Sequence, residues 1–254
     1  MPNLPMHIYL AHQVAEQLDW GYVYDHIGSF YLGSTSPDIR AMTKWPREQT
    51  HFAPLSVREV GTGTRTMFGN YPELMDDSAK SPATRTFLLG YVCHLASDEV
   101  WITTVYRPNF DTASEDSRLT GDQVQADIWD RAIQLDMDRL SLPDVRGPLD
   151  AGHAVSCGDT GVSVAFFEDG LLTQWKERVS SFVGREFEWS RLKFALNRMY
   201  RDNDEVQQSV DRFLDRMPYS LEEVYQKIPE AKVENYRREA VAATIAQVRE
   251  FLPE

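Results

Sequence analysis

The 254-residue chain has no apolar run long enough to span a bilayer, and its two cysteines, Cys93 and Cys157, are too few for a disulfide framework. A membrane-spanning protein and a small disulfide-stapled scaffold are thereby excluded. Cys93 falls inside an apolar helical pattern and neither cysteine has a nucleophile signature around it, in keeping with a reducing compartment. The start, Met1-Pro2-Asn3-Leu4-Pro5-Met6-His7, lacks the basic and apolar regions of a secretory signal, so a cytoplasmic location is expected. Positive charge is scarce as well. Against 39 Asp and Glu stand 26 Lys and Arg, and the net charge of −13 opposes loose contact with a nucleic acid duplex or an anionic membrane.

Alternating Val/Ile/Thr runs bounded by turns are almost absent, as are internal repeats and low-complexity tracts, whereas nearly every periodic segment has helical spacing. The expected fold class is all-α, as one domain over 1–254: a core over 1–141, a Pro-, Gly- and Asp-rich loop or lid over 142–170, and C-terminal helices over 171–254. A first helix runs from Met6 to Leu18 with His7, Ala11, Val14 and Leu18 on one face. A second spans about Tyr22 to Leu32 and stops at Gly33, before a loop over Ser34 to Asp38. A third is expected from Pro54 or Leu55 to Gly69. The clearest has Ser81 as N-cap and Pro82 in its first turn, and it runs past Trp101 until Pro108 stops it. A loop over 109–121 precedes helices at about 122–140, 171–183, 189–201, 205–216, 220–227 and 233–251, with Ser220 and Glu223 forming a capping box.

In the clearest helix Gly90, His94 and Asp98 are four residues apart and stack on one face, so an imidazole and a carboxylate project together while Gly90 leaves room beside them. Three other segments add the same chemistry. His7 sits in the first turn of the first helix, Asp38 follows Pro37 just past a helix end, and His51 stands at a loop-to-helix junction. Three imidazoles and two carboxylates are suitable ligands for zinc in a site with an open position, although mixed ligands of this kind also suit iron, nickel or manganese.

The segments His7-Ile8-Tyr9-Leu10-Ala11-His12, Gly33-Ser34-Thr35-Ser36-Pro37-Asp38, Thr50-His51-Phe52 and Phe87 through Asp98 resemble, in order and separation, the successive motifs of the zinc-dependent phospholipase C superfamily. That superfamily includes the bacterial phospholipases C and the catalytic domain of glycosylphosphatidylinositol-specific phospholipase D. The resemblance covers roughly residues 1 to 108. It implies a multi-helix bundle like that of phospholipase C and P1 nuclease, here with a helical C-terminal extension. It also implies a metal-dependent phosphoester hydrolase acting on a small phosphoester or phospholipid-like substrate. Asp38, His51, His94 and Asp98 would hold one zinc, with Asp98 able to bridge toward a second ion near His7 and Asp38 able to activate the attacking water. Where many members have a further histidine after the tryptophan, this chain has Ile102, and no later His-x-x-x-Glu pair occurs, which implies one or two ions rather than three.

His12 lies about 140° round the helix from His7 and reads as a polar face, with a place beside the site as the alternative. His153 in the expected lid could touch substrate, whereas His26 reads as packing. Asp127 and Asp130 read as solvated helix carboxylates that could also support a metal. The aromatics Trp20, Tyr22, Tyr24, Phe30 and Tyr31 read as core. Two further function classes fit the residues: a non-catalytic metal-binding helical protein, and a nuclease or nucleotidase on the same scaffold. HD-type phosphohydrolases do not fit, because no His-Asp doublet occurs.

Overall fold

The computed structural model describes residues 1–76, 80–113, 119–201 and 203–254. Among these residues there is no strand, and no helix is long and apolar enough to cross a membrane. The first half comprises α1 (Leu4–Leu18), α2 (Gly21–Asp25), α3 (Ile27–Thr35), α4 (Arg40–Thr43), α5 (Glu48–His51), α6 (Thr62–Asn70), α7 (Pro82–Val100) and the single turn α8 (Arg107–Asn109). After these come α9 (Gln123–Arg146), α10 (Ala151–Ser156), α11 (Leu171–Val183), α12 (Arg191–Tyr200), α13 (Asp204–Asp215), α14 (Tyr219–Lys227) and α15 (Glu230–Phe251).

The centre is α7. Its residues from Phe87 to Val100 are all buried, so it has no solvent face, as expected of a helix enclosed by others. Ser81 caps it by accepting from the Thr84 N–H at 3.0 Å, as its sequence position suggests. The helices α3, α15 and α1 enclose it. Its contact with α3 is at backbone distance: a Cβ at Gly90 would lie 2.0 Å from the Phe30 carbonyl oxygen, and one at Gly33 would lie 2.0 Å from that of Phe87. Gly90 is therefore spent on helix contact rather than on space beside His94. Gly33, likewise, does not end its helix. The hydroxyls of Ser34, Thr35 and Ser36 donate back to the carbonyls of Tyr31, Leu32 and Leu32, and the chain turns through the 3₁₀ segment Ser36–Ile39, where a loop is expected.

Other elements also depart from the sequence pattern. The second helix is broken at His26. The third starts at Thr62, because Phe52 at φ 55° and Gly61 at φ 92° keep the intervening chain out of helix. Beyond Val100 the chain widens into π-helical turns over Trp101–Tyr106, and these lead into α8, which contains Pro108 in its first turn. Part of the expected loop that follows, 114–118, lies outside the described residues. In α9, capped by Asp122, the helix continues through Pro143 to Arg146, and the expected loop or lid contains α10. Ser220 makes no capping box. Its hydroxyl donates to the Phe213 carbonyl at 2.7 Å, and Glu223 instead pairs with Arg216. Trp20, Phe30 and Tyr31 are core, whereas Tyr24 is exposed.

The start of α1 is fixed from α9. Asn3 donates to Asp138 Oδ2 at 2.8 Å, and the Met6 N–H also serves this carboxylate. The Asn3 carbonyl in turn accepts the His7 N–H at 3.1 Å. Asp138 is fully buried and its Oδ1 has no partner. Burial pushes its pKa from 3.8 up to about 7 against the help of those hydrogen bonds. Between these values the unfolded chain has lost a proton that the folded chain retains, so stability falls as pH rises through that window and levels off above it. Asp138→Asn keeps an acceptor for Asn3 without the charge. The variant should gain on the parent by up to about 4 kcal/mol between pH 4 and pH 8 in urea unfolding. An equal difference at both pH values would show that Asp138 is not held protonated.

Candidate metal centre

Three elements converge on α7, which supplies donors of its own. From α1 comes His7, from the 3₁₀ turn Asp38, from α5 His51, and from α7 both His94 and Asp98. His7, His51, His94 and Asp98 are buried; Asp38, at 30% exposure, is the member that reaches solvent. His51 Nε2 lies 3.3 Å from His94 Nε2, 3.3 Å from Asp98 Oδ2 and 3.8 Å from Asp38 Oδ1. Asp98 Oδ1 lies 3.5 Å from His7 Nε2, and Asp98 Oδ2 3.7 Å from His94 Nε2. Donors held about 2.0–2.2 Å from a tetrahedral ion sit roughly 3.3–3.6 Å apart; the separations of 3.3, 3.3 and 3.5 Å fall in that range, and those of 3.7 and 3.8 Å lie just beyond it.

The surroundings fix the tautomers. His94 Nδ1 faces the Ser34 carbonyl at 2.8 Å, and since a carbonyl can only accept, Nδ1 carries the proton and Nε2 presents its lone pair inward. The Ser97 hydroxyl donates to the His94 carbonyl at 3.0 Å, which leaves its oxygen to accept from His7 Nδ1 at 3.0 Å. His51 Nδ1 meets the Thr50 hydroxyl at 2.9 Å, and Tyr91 donates to the Thr50 carbonyl at 2.5 Å, tying α5 to α7. The His7 and His94 rings stack at 3.7 Å between centroids. Among the described residues His7 Nε2 and Asp98 Oδ1 are buried with no hydrogen-bond partner, a costly arrangement that an ion between them would relieve. Two sets of donors meet the spacing for a metal, His7 with His94 and Asp98, and Asp38 with His51 and His94.

Electrostatics favours the ligating protonation states. Burial lowers the pKa of His94 well below the ordinary value, with the neighbouring His7 adding to this; burial and then the Arg47 charge lower that of His51. Burial works against the charge on Asp98. The imidazole of His94 and then the Arg47 guanidinium outweigh it, with His51 and His7 beside it, and its pKa falls well below the carboxylate range.

The remaining expected residues lie elsewhere. His12 pairs with the Tyr31 hydroxyl at 2.9 Å and with Glu16, and His153 is exposed on α10. Neither belongs to a donor set. Asp127 and Asp130 are buried rather than solvated: Asp127 accepts from Tyr200 at 2.6 Å and Gln123 at 3.0 Å, and Asp130 accepts from Trp101 at 3.0 Å and Gln134 at 2.7 Å. Ile102 packs against Ala53 and Val57. The residue that sequence reasoning missed is Arg47, 7% exposed, whose Nη2 donates to Asp98 Oδ2 at 2.9 Å. Its sequence signal is slight, an arginine four residues before a histidine in a turn.

Compared with known families, residues 6–101 match the model for zinc dependent phospholipase C, a stretch that contains all five converging residues and ends at Trp101. Comparison with curated proteins and with solved structures gives no match. The resemblance carried by the ordered motifs thus holds over the segment that builds the cluster.

His94→Ala or Asp98→Ala removes a central donor and should lower divalent metal bound after purification to a small fraction of the parent value by elemental analysis. His153→Ala should keep the parent's metal content. Equal metal in all three variants would place the ion elsewhere.

Proposed function

We propose that this chain, which matches zinc dependent phospholipase C over residues 6–101, is a divalent-metal-dependent phosphoester hydrolase acting on a small phosphoester or phospholipid-like substrate. The observation that carries the reading is the convergence of three inward-facing Nε2 atoms and two carboxylates, one of them open to solvent. His7, His51, His94, Asp98 and Asp38 would hold zinc. When bound, the ion brings the pKa of a water toward neutrality and offsets charge developing on phosphoryl oxygens.

Asp38 is suited to take the proton from the attacking water. It stands at the rim of the cluster, its Oδ1 is 3.8 Å from His51 Nε2, and its partial exposure gives the proton a route to solvent. Asp98, buried and clamped between imidazoles and Arg47, has no such route and orients the donors instead. The high negative charge favours a monomeric phosphodiester over a lipid packed in an anionic bilayer. A second reading, a metal-binding protein without turnover, draws on one observation: the place where many relatives of this type supply another histidine is filled by Ile102, buried against Ala53 and Val57.

Asp38→Asn preserves shape and an oxygen facing the cluster but cannot accept the proton. Turnover of a chromogenic p-nitrophenyl phosphodiester should fall about 100-fold or more while bound metal changes little. Near-normal turnover by the variant would reject Asp38 as the base, and a metal-loaded parent with no turnover of phosphodiesters or phosphomonoesters would favour the second reading.

A further inference from the structure

The two donor sets share His94, and His94 has one lone pair to give. Its Nδ1 is committed as a donor to the Ser34 carbonyl, so Nε2 alone faces the cluster, and one nitrogen lone pair binds one ion. Filling either set leaves the other with two protein ligands. Asp98 is divided in the same way: Oδ1 faces His7 Nε2 at 3.5 Å with no hydrogen-bond partner, while Oδ2 accepts from Arg47 Nη2 at 2.9 Å.

Arg47 is held at that oxygen by the fold. It precedes α5, and its carbonyl accepts the His51 N–H at 2.8 Å, so the guanidinium and the His51 imidazole leave the same turn. Among the described residues its Nε and Nη1 are buried without hydrogen-bond partners, which makes Asp98 the contact that keeps this charge in the interior. A second cation on Asp98 Oδ2 would lie against a guanidinium that is already there and that does not lose its proton. We infer that Arg47 stands in for a second metal ion, and that the cluster takes one tightly bound ion per chain, with the guanidinium supplying the other positive charge beside Asp98. One divalent ion, two carboxylates and Arg47 leave the site with a slight positive excess, suited to a phosphoryl group.

This inference rests on the metal-dependent reading above, and ion counting separates the two. The metal-free parent is titrated with zinc and the bound ions are counted by elemental analysis after gel filtration. The parent should saturate at one tight ion. Arg47→Gln, which removes the charge and frees Asp98 Oδ2, should bind a second ion about tenfold or more tighter than the parent does, and Arg47→Lys should stay at one. Two equally tight ions in the parent would overturn the inference and leave the hydrolase reading standing; this count decides the matter even if Arg47→Gln fails to fold. An unchanged second affinity in folded Arg47→Gln, or a second ion in Arg47→Lys as tight as in Arg47→Gln, would also overturn it. No ion in the parent would reject both.

Discussion

The backbone-to-backbone contact of α3 with α7 is the constraint on which the rest of the structure depends. With glycine at positions 33 and 90, the two helices approach until a single methyl group would collide with a carbonyl oxygen. That proximity puts the Ser34 carbonyl 2.8 Å from His94 Nδ1 and so turns His94 Nε2 toward the cluster. It also sets the direction in which the chain leaves α3. The 3₁₀ turn that follows presents Asp38 to His51, and Tyr91, one residue past Gly90, ties down the turn that carries His51. A helix contact made far from solvent thus decides both the tautomer and the position of the donors.

Burying so many polar groups is costly unless each has a partner. Here the outer nitrogen of each histidine meets a carbonyl or hydroxyl, and the inner nitrogens meet one another and two carboxylates. Asp98 remains charged because Arg47 and the imidazoles surround it. What the protein alone leaves unmet, His7 Nε2 and Asp98 Oδ1, faces inward, where a cation would satisfy both. The same economy explains Trp101 and Asp130. An indole three residues beyond Asp98 donates to a carboxylate of α9 and fastens the end of α7 to the next long helix.

Local patterns carried much of this into the sequence. The i,i+4 pair His94 and Asp98, the Ser81-Pro82 start of α7 and the helical periodicity are properties of neighbours along the chain, and they are legible for that reason. The glycines mislead, because a glycine near a helix end looks the same whether it turns the chain or admits another helix. Ser220 satisfies the spacing of a capping box, yet a carbonyl seven residues upstream takes its hydroxyl. Arg47 is invisible for a deeper reason. Its partner is 51 positions away, and a lone arginine in a polar turn has the composition of a solvated surface. Asp127 and Asp130 hide likewise, as their partners on other elements include Tyr200 and Trp101.

The central claim is that these donors surround one place where a metal ion belongs. Crystals grown from zinc-loaded protein and measured on both sides of the zinc absorption edge test it most directly. An anomalous peak is expected within about 2.2 Å of His94 Nε2, with the Asp98 carboxylate in its coordination sphere. A peak bound only by surface carboxylates, or none within reach of His94 in fully loaded protein, would contradict it.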